Sequence, residues 1–201
     1  MKRLLIRCAG LLLSSCLGAS AQGFEVELSP FYGYRFGGSV DSSSGGTLDL
    51  KPGQAYGLTL DFGPRDSEVK FELLWSRQES GIDFEGLGGL GKVDVTVDEF
   101  MLGGVYEMRQ GRFRERVSGM MGATVFNAEG SDAEARFCVG LGVGVKYFLF
   151  KNLALCADLR GFCTLFREEA AFISSGGNTV AYFGGSTLWQ GEVTAGFTLT
   201  F

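Results

Sequence analysis

The chain of 201 residues has no histidine. That absence removes Ser-His-Asp and Cys-His nucleophilic machinery and every metal site built on imidazole. Proline is scarce, with 3 residues, which suits strands because each proline deletes a ladder hydrogen bond. Beyond the N-terminal segment no run of eighteen apolar residues occurs, so no transmembrane helix is expected. Positive charge is in deficit, 18 Lys+Arg against 23 Asp+Glu, which argues against nucleic acid as a partner, since phosphate binding needs basic patches.

Residues 1–21 read as an export signal. Lys2, Arg3 and Arg7 make a basic start, Leu4 to Leu17 is largely apolar, and Ala19-Ser20-Ala21 is a small-x-small cleavage site. A second reading takes Leu13-Ser14-Ser15-Cys16 as a lipoprotein box, with Cys16 the lipidated residue. Removing the three basic residues leaves 15 Lys+Arg against 23 Asp+Glu, a net charge of −8 for residues 22–201. That part is one domain by length. Its cysteines, Cys138, Cys156 and Cys163, are odd in number and are expected to be small apolar fillers without an intrachain disulfide.

What the chain does have is alternation. Period-2 patterning marks eight strands at about 24–37, 54–62, 68–79, 93–107, 113–126, 136–149, 153–166 and 188–201. Most are long enough to cross a bilayer when tilted. In the sixth, Phe137, Val139, Leu141, Val143, Val145, Tyr147 and Leu149 share one face, against Arg136, Cys138, Gly140, Gly142, Gly144, Lys146 and Phe148. The fourth strand is ambiguous. Val93, Val95 and Val97 take one parity and Phe100, Leu102 and Tyr106 the other, so either a bulge switches faces near Asp98-Glu99 or the valines lie above the membrane. Short connections near 63–66, 109–111 and 150–152 alternate with longer ones at about 38–53, 80–92, 127–135 and 167–187. That is the layout of a membrane barrel with short periplasmic turns.

Two barrels fit eight up-and-down strands, a soluble lipocalin-like binder and a membrane barrel with the faces reversed. Gly33, Gly37, Gly57, Gly122, Gly140, Gly142, Gly144 and Gly196 share the charged parity, while Trp75, Tyr147, Trp189, Phe197 and Phe201 take the other. An eight-strand interior is only wide enough for side chains to fill it, so the small and charged set belongs inside and the bulky set against lipid. The expectation is an all-β, eight-stranded antiparallel transmembrane barrel over 22–201.

Particular stretches now carry a resemblance. Phe31-Tyr32-Gly33-Tyr34-Arg35-Phe36-Gly37-Gly38 and Gly140-Leu141-Gly142-Val143-Gly144-Val145-Lys146-Tyr147-Phe148 resemble strands of the small bacterial outer-membrane barrels of the OmpA/OmpX type. Gly191 to Phe201 resembles their closing strand, and Phe197, Leu199 and Phe201 resemble the C-terminal signal read by the barrel-assembly machinery. The resemblance implies an outer-membrane address in a Gram-negative-type bacterium. It also implies lipid and lipopolysaccharide as surroundings, a monomer, and a structural or surface-interaction role. Families of this kind also include narrow channels and a few enzymes, so function transfers poorly. Those with phospholipase, protease or deacylase activity use histidine, which this chain lacks.

The inward parity collects Glu25, Glu27, Arg35, Asp61, Lys70, Glu72, Arg114, Arg116, Lys146, Asp158, Arg160 and Glu192. Hairpin register sets Lys146 diagonal to Asp158 and Asp61 diagonal to Lys70, and barrel closure brings Arg35 beside Glu192. The expectation is an ion-pair network filling the lumen, with a thin polar channel as the other reading. Gly86-Leu87-Gly88-Gly89-Leu90-Gly91-Lys92 mimics a phosphate loop, but Val93 stands where Ser or Thr is needed and opens a strand. No catalytic, cofactor or metal site is expected. Asp41, Asp49, Asp83, Glu85, Glu129, Asp132 and Glu134 read as solvated loop surface.

Overall fold

A computed structural model describes residues 23–41, 47–84, 91–128, 133–166, 170–175, 178–183 and 187–201. Residues 1–21, expected as an export segment and including Cys16, and most of the glycine-rich 86–92 run lie outside the described residues.

Eight long strands close into one antiparallel barrel. They are β1 (Phe24–Gly37), β4 (Gly53–Pro64), β5 (Val69–Phe84), β6 (Gly91–Gln110), β7 (Phe113–Ala128), β8 (Glu134–Phe150), β9 (Leu153–Leu165) and β12 (Thr187–Thr200), in the cyclic order β1-β12-β9-β8-β7-β6-β5-β4. Each strand therefore pairs with its up-and-down neighbour, and β12 closes on β1. Two stretches expected as loops carry hairpins of their own, β2 (Ser39–Asp41) with β3 (Thr47–Asp49) and β10 (Ala170–Ser175) with β11 (Asn178–Phe183). The expected loop at 80–92 is shorter, because β5 and β6 run on as a paired ribbon to Phe84 and Gly91.

The orientation follows the alternation. Leu141 is 73% exposed, Trp189 67% and Phe197 45%, while Lys146 is 0% and Arg160 3% exposed. A soluble barrel reverses that order. On β8 the outward residues from Phe137 to Tyr147 span ten residue steps. At 3.3 Å per residue and a 40° tilt this is about 25 Å, the height of an outer-membrane apolar band.

β6 has no bulge, and its pairing to β5 and β7 is unbroken through Asp98 and Glu99. From Val95 to Glu107 odd residues face inward, so Val95 and Val97 are buried in the lumen near its outer mouth, and Phe100, Leu102 and Tyr106 face outward. Valines at the mouth are compatible with the inward parity because Phe126, Phe166 and Leu188 are buried there too. The seam between β1 and β12 pairs Leu28 with Leu199 and resumes at Phe31 with Gly196. The gap holds Pro30, which has no amide proton to donate. A side-chain bond between the Ser29 and Thr198 hydroxyls, 2.8 Å apart, bridges the same level from inside.

Candidate functional site

The lumen is stratified into layers. The lowest, at the short-turn end, is a charge cluster around three carboxylates. Lys146 Nζ, from β8, donates to Glu27 of β1, to Asp61 of β4 at 2.9 Å and to Glu107 of β6 at 2.6 Å. Lys70 Nζ, from β5, donates to Glu25 at 2.6 Å, Glu27 at 2.9 Å and Glu107 at 3.2 Å. Arg114, from β7, reaches Glu27 at 2.9 Å and Glu25 at 3.2 Å while its guanidinium lies 4.1 Å from the Phe148 ring. Arg116 binds Glu72 and lies 3.4 Å from Asp61 and 3.6 Å from Asp158. Ionic groups so far from water are tolerable only because each faces opposite charge, and removal of one partner strands the others.

Above it sits an apolar layer of Phe31, Leu74, Met101, Met120 and Phe162. Glycine makes room for it. A side chain at Gly57 would meet the Phe31 ring at 2.7 Å, so the ring lies over bare backbone. Lower down, a side chain at Gly144 would overlap the Asp158 carboxylate.

A second polar layer follows. Arg35 donates to Glu192 Oε2 through Nε at 3.0 Å and Nη2 at 2.8 Å, and Nη2 also reaches Ser76 at 2.7 Å. Arg160 reaches Asp158 at 3.2 Å and Glu192 at 3.3 Å, linking the two charged layers. The two arginines clamp the apolar layer, with Arg35 5.0 Å from the Phe162 ring and Arg160 4.8 Å from Phe31. Glu99 accepts from Thr124 at 2.8 Å and lies 3.6 Å from Arg35 Nη1.

All the inward charges named from the sequence therefore lie in the lumen, but two partnerships differ from expectation. Lys146 pairs with Glu27, Asp61 and Glu107 rather than Asp158, which serves Arg116 and Arg160. Asp61 pairs with Lys146 and Arg116, and Lys70 turns to Glu25, Glu27 and Glu107. The diagonal neighbours are where the register puts them, but long side chains reach across the narrow lumen to strands that are not adjacent. Alternation alone does not single out Glu99 and Glu107, because the two parities of β6 carry competing apolar sets. The outward run Phe100, Leu102, Tyr106 is the signal that points to them. Nor does alternation single out the apolar layer, since Phe31, Leu74 and Phe162 sit on the polar parity of their strands.

Glu27, Asp61 and Glu107 bring carboxylate oxygens within 4.8 Å of one another, a spacing that fits a cation. The ammonium of Lys146 binds all three, so that position is filled by the protein itself. Cys138, Cys156 and Cys163 are free and buried, Cys163 on the outward parity between Val139 and Trp189 in register. Phe197 and Phe201 face outward at the closing end of β12, and the chain end is tied down by Phe201 N donating to Val26 O at 2.9 Å and by Asn152 Nδ2 donating to Thr200 O at 2.8 Å.

No protein-family model matches the chain, and no curated protein is similar enough in sequence to count as a relative. Solved structures match in fold. Neisserial surface protein A aligns with a TM-score of 0.54 at 14% identity, over 90% of this chain and 98% of that one. The outer membrane protein OprG of Pseudomonas aeruginosa gives 0.55 at 12% identity, over 89% and 96%. A major outer membrane protein of Thermus thermophilus gives 0.56 at 14% identity, over 89% and 99%. At such identities the likeness is one of architecture. The chain has the fold of the small eight-stranded outer-membrane β-barrels.

Proposed function

We propose that this protein is an integral outer-membrane barrel with a structural or surface-interaction role, exerted through its outer loops, and with a lumen closed to solutes. One observation carries the closed lumen. Arg35, Glu27, Glu72, Glu107, Lys146 and Glu192, on five different strands, have 0% exposure, so water does not reach them from either end. A conducting pore needs a continuous wet path, and two charged layers separated by phenylalanine and methionine side chains oppose one.

The remaining parts of the reading follow from the sequence. Residues 1–21 export the chain, the Phe197, Leu199 and Phe201 ending is offered to the barrel-assembly machinery, and lipid with lipopolysaccharide surrounds a monomer. Catalysis is disfavoured by the missing histidine and because the lumen carboxylates face cations of their own network. The deciding experiment is conductance in planar bilayers at neutral pH. Silence across the applied voltage range is expected, and stable open steps would replace the plug with the narrow-channel reading.

A further inference from the structure

Among the described residues the cations divide into two sets, those with a partner, Lys51 included, and those without. Nine with described side chains, Arg35, Lys70, Arg77, Arg109, Arg114, Arg116, Arg136, Lys146 and Arg160, each have a carboxylate within 4.0 Å. Among the described residues, Arg65, Arg112 and Lys151 make no side-chain hydrogen bond or ion pair, and all three are exposed. They fall one on each short turn, between β4 and β5, between β6 and β7, and between β8 and β9. The free cations thus sit together on one rim of the barrel.

That rim has a particular surrounding. Arg112 adjoins Phe113, and Lys151 adjoins Phe150, which is 70% exposed at the end of β8. Near Arg65, Phe62 and Phe71 stack at 5.5 Å on neighbouring strands. Aromatic rings at this level mark the membrane-water boundary, so the three cations stand at headgroup height. Successive turns are two strands apart, about 10 Å along the rim at the usual strand spacing. An arc of single charges at that spacing fits several separate phosphates rather than one compact polyanion. The first turn also carries Asp66 and Glu68, the latter accepting from the Tyr106 hydroxyl at 2.8 Å, so Arg65 stands beside local negative charge, whereas the other two turns contain no acid. Among the described residues the opposite end has the reverse balance, since 38–41, 47–53, 79–84, 91–94, 127–128 and 133–136 hold six acids against three bases.

We infer that the short-turn rim is an anionic-lipid surface, in which Arg65, Arg112 and Lys151 each hold the phosphate of a phosphatidylglycerol-like headgroup in the facing leaflet. This builds on the membrane-embedded reading and adds a lipid preference and a fixed orientation to it. A free juxtamembrane cation attracts anionic lipid by about fivefold at low salt, and salt screens the attraction.

The test uses the folded protein in nanodiscs of equal parts phosphatidylcholine and phosphatidylglycerol, with the retained lipid shell analysed by mass spectrometry. Embedding is scored separately, by the gel mobility of unheated against heated samples. Several-fold enrichment of phosphatidylglycerol in the shell is expected, falling towards parity in the triple variant R65Q/R112Q/K151Q and, for the unaltered protein, in high salt. Embedded protein with a shell of bulk composition would overturn the inference while leaving the barrel reading intact. So would enrichment that survives both the substitutions and the salt. A rim that instead retains purified peptidoglycan sacculi through the same three residues would also overturn it, by making the cell wall the partner. Failure to embed at all would count against the barrel reading itself.

Discussion

Lys146 shows how much one side chain holds together here. Its ammonium is fully buried and serves Glu27, Asp61 and Glu107, from three other strands. Lys146→Gln keeps the length of the chain but removes the charge, leaving three carboxylates at close quarters in a dry site. The cost is expected to be about 3–5 kcal/mol, the usual penalty for breaking a buried ion pair. Equilibrium unfolding in urea, in lipid vesicles, measures it. Leu141 supplies the complementary test from outside. It is the most exposed large hydrophobic residue on β8 and lies near the middle of the outward band. Leu141→Arg is expected to cost about 2–4 kcal/mol against lipid. A substitution with no effect on stability would mean that this face meets water.

At the scale of elements, β6 and the β1–β12 seam are the instructive cases. On β6, valines and acids share the inward parity, and the strand looks inconsistent until its neighbours are known. Once β5 and β7 pair with it without interruption, the facing has no freedom, because a one-residue slip turns every side chain over. At the seam, the hydroxyl contact between Ser29 and Thr198 stands where Pro30 withholds an amide. Ser29→Ala and Thr198→Ala are each expected to lower stability by about 1 kcal/mol. Their effects are expected to be less than additive when combined, since the second change removes a group whose partner is already gone. A double-mutant cycle on unfolding free energy reads the coupling, and strict additivity would show that the seam does not depend on this contact.

For the molecule as a whole, the barrel and its buried thiols give a joint prediction. Unheated protein in detergent is expected to migrate faster than heated protein. A thiol reagent such as dithionitrobenzoate is expected to leave Cys138, Cys156 and Cys163 untouched until the barrel is opened, since all three are buried and free. Reaction of the folded form would mean that the lumen or the wall near Cys163 admits solvent. The same closed interior underlies the expected silence in planar bilayers.

The period-2 pattern was enough to place eight strands, their up-and-down order and the lipid-facing set, because a strand's two faces meet different surroundings and residue type records which is which. Arg35 beside Glu192 was legible for a related reason: closing eight strands leaves the first and last no other neighbour. The partners of Lys146, the place of Glu99 and Glu107, and the phenylalanine-methionine layer between the charges were decided only by the closed barrel. Local alternation says which way a side chain points. Which groups it meets depends on the lumen's width and on strands far apart in the chain, and those distances exist only once the sheet has closed.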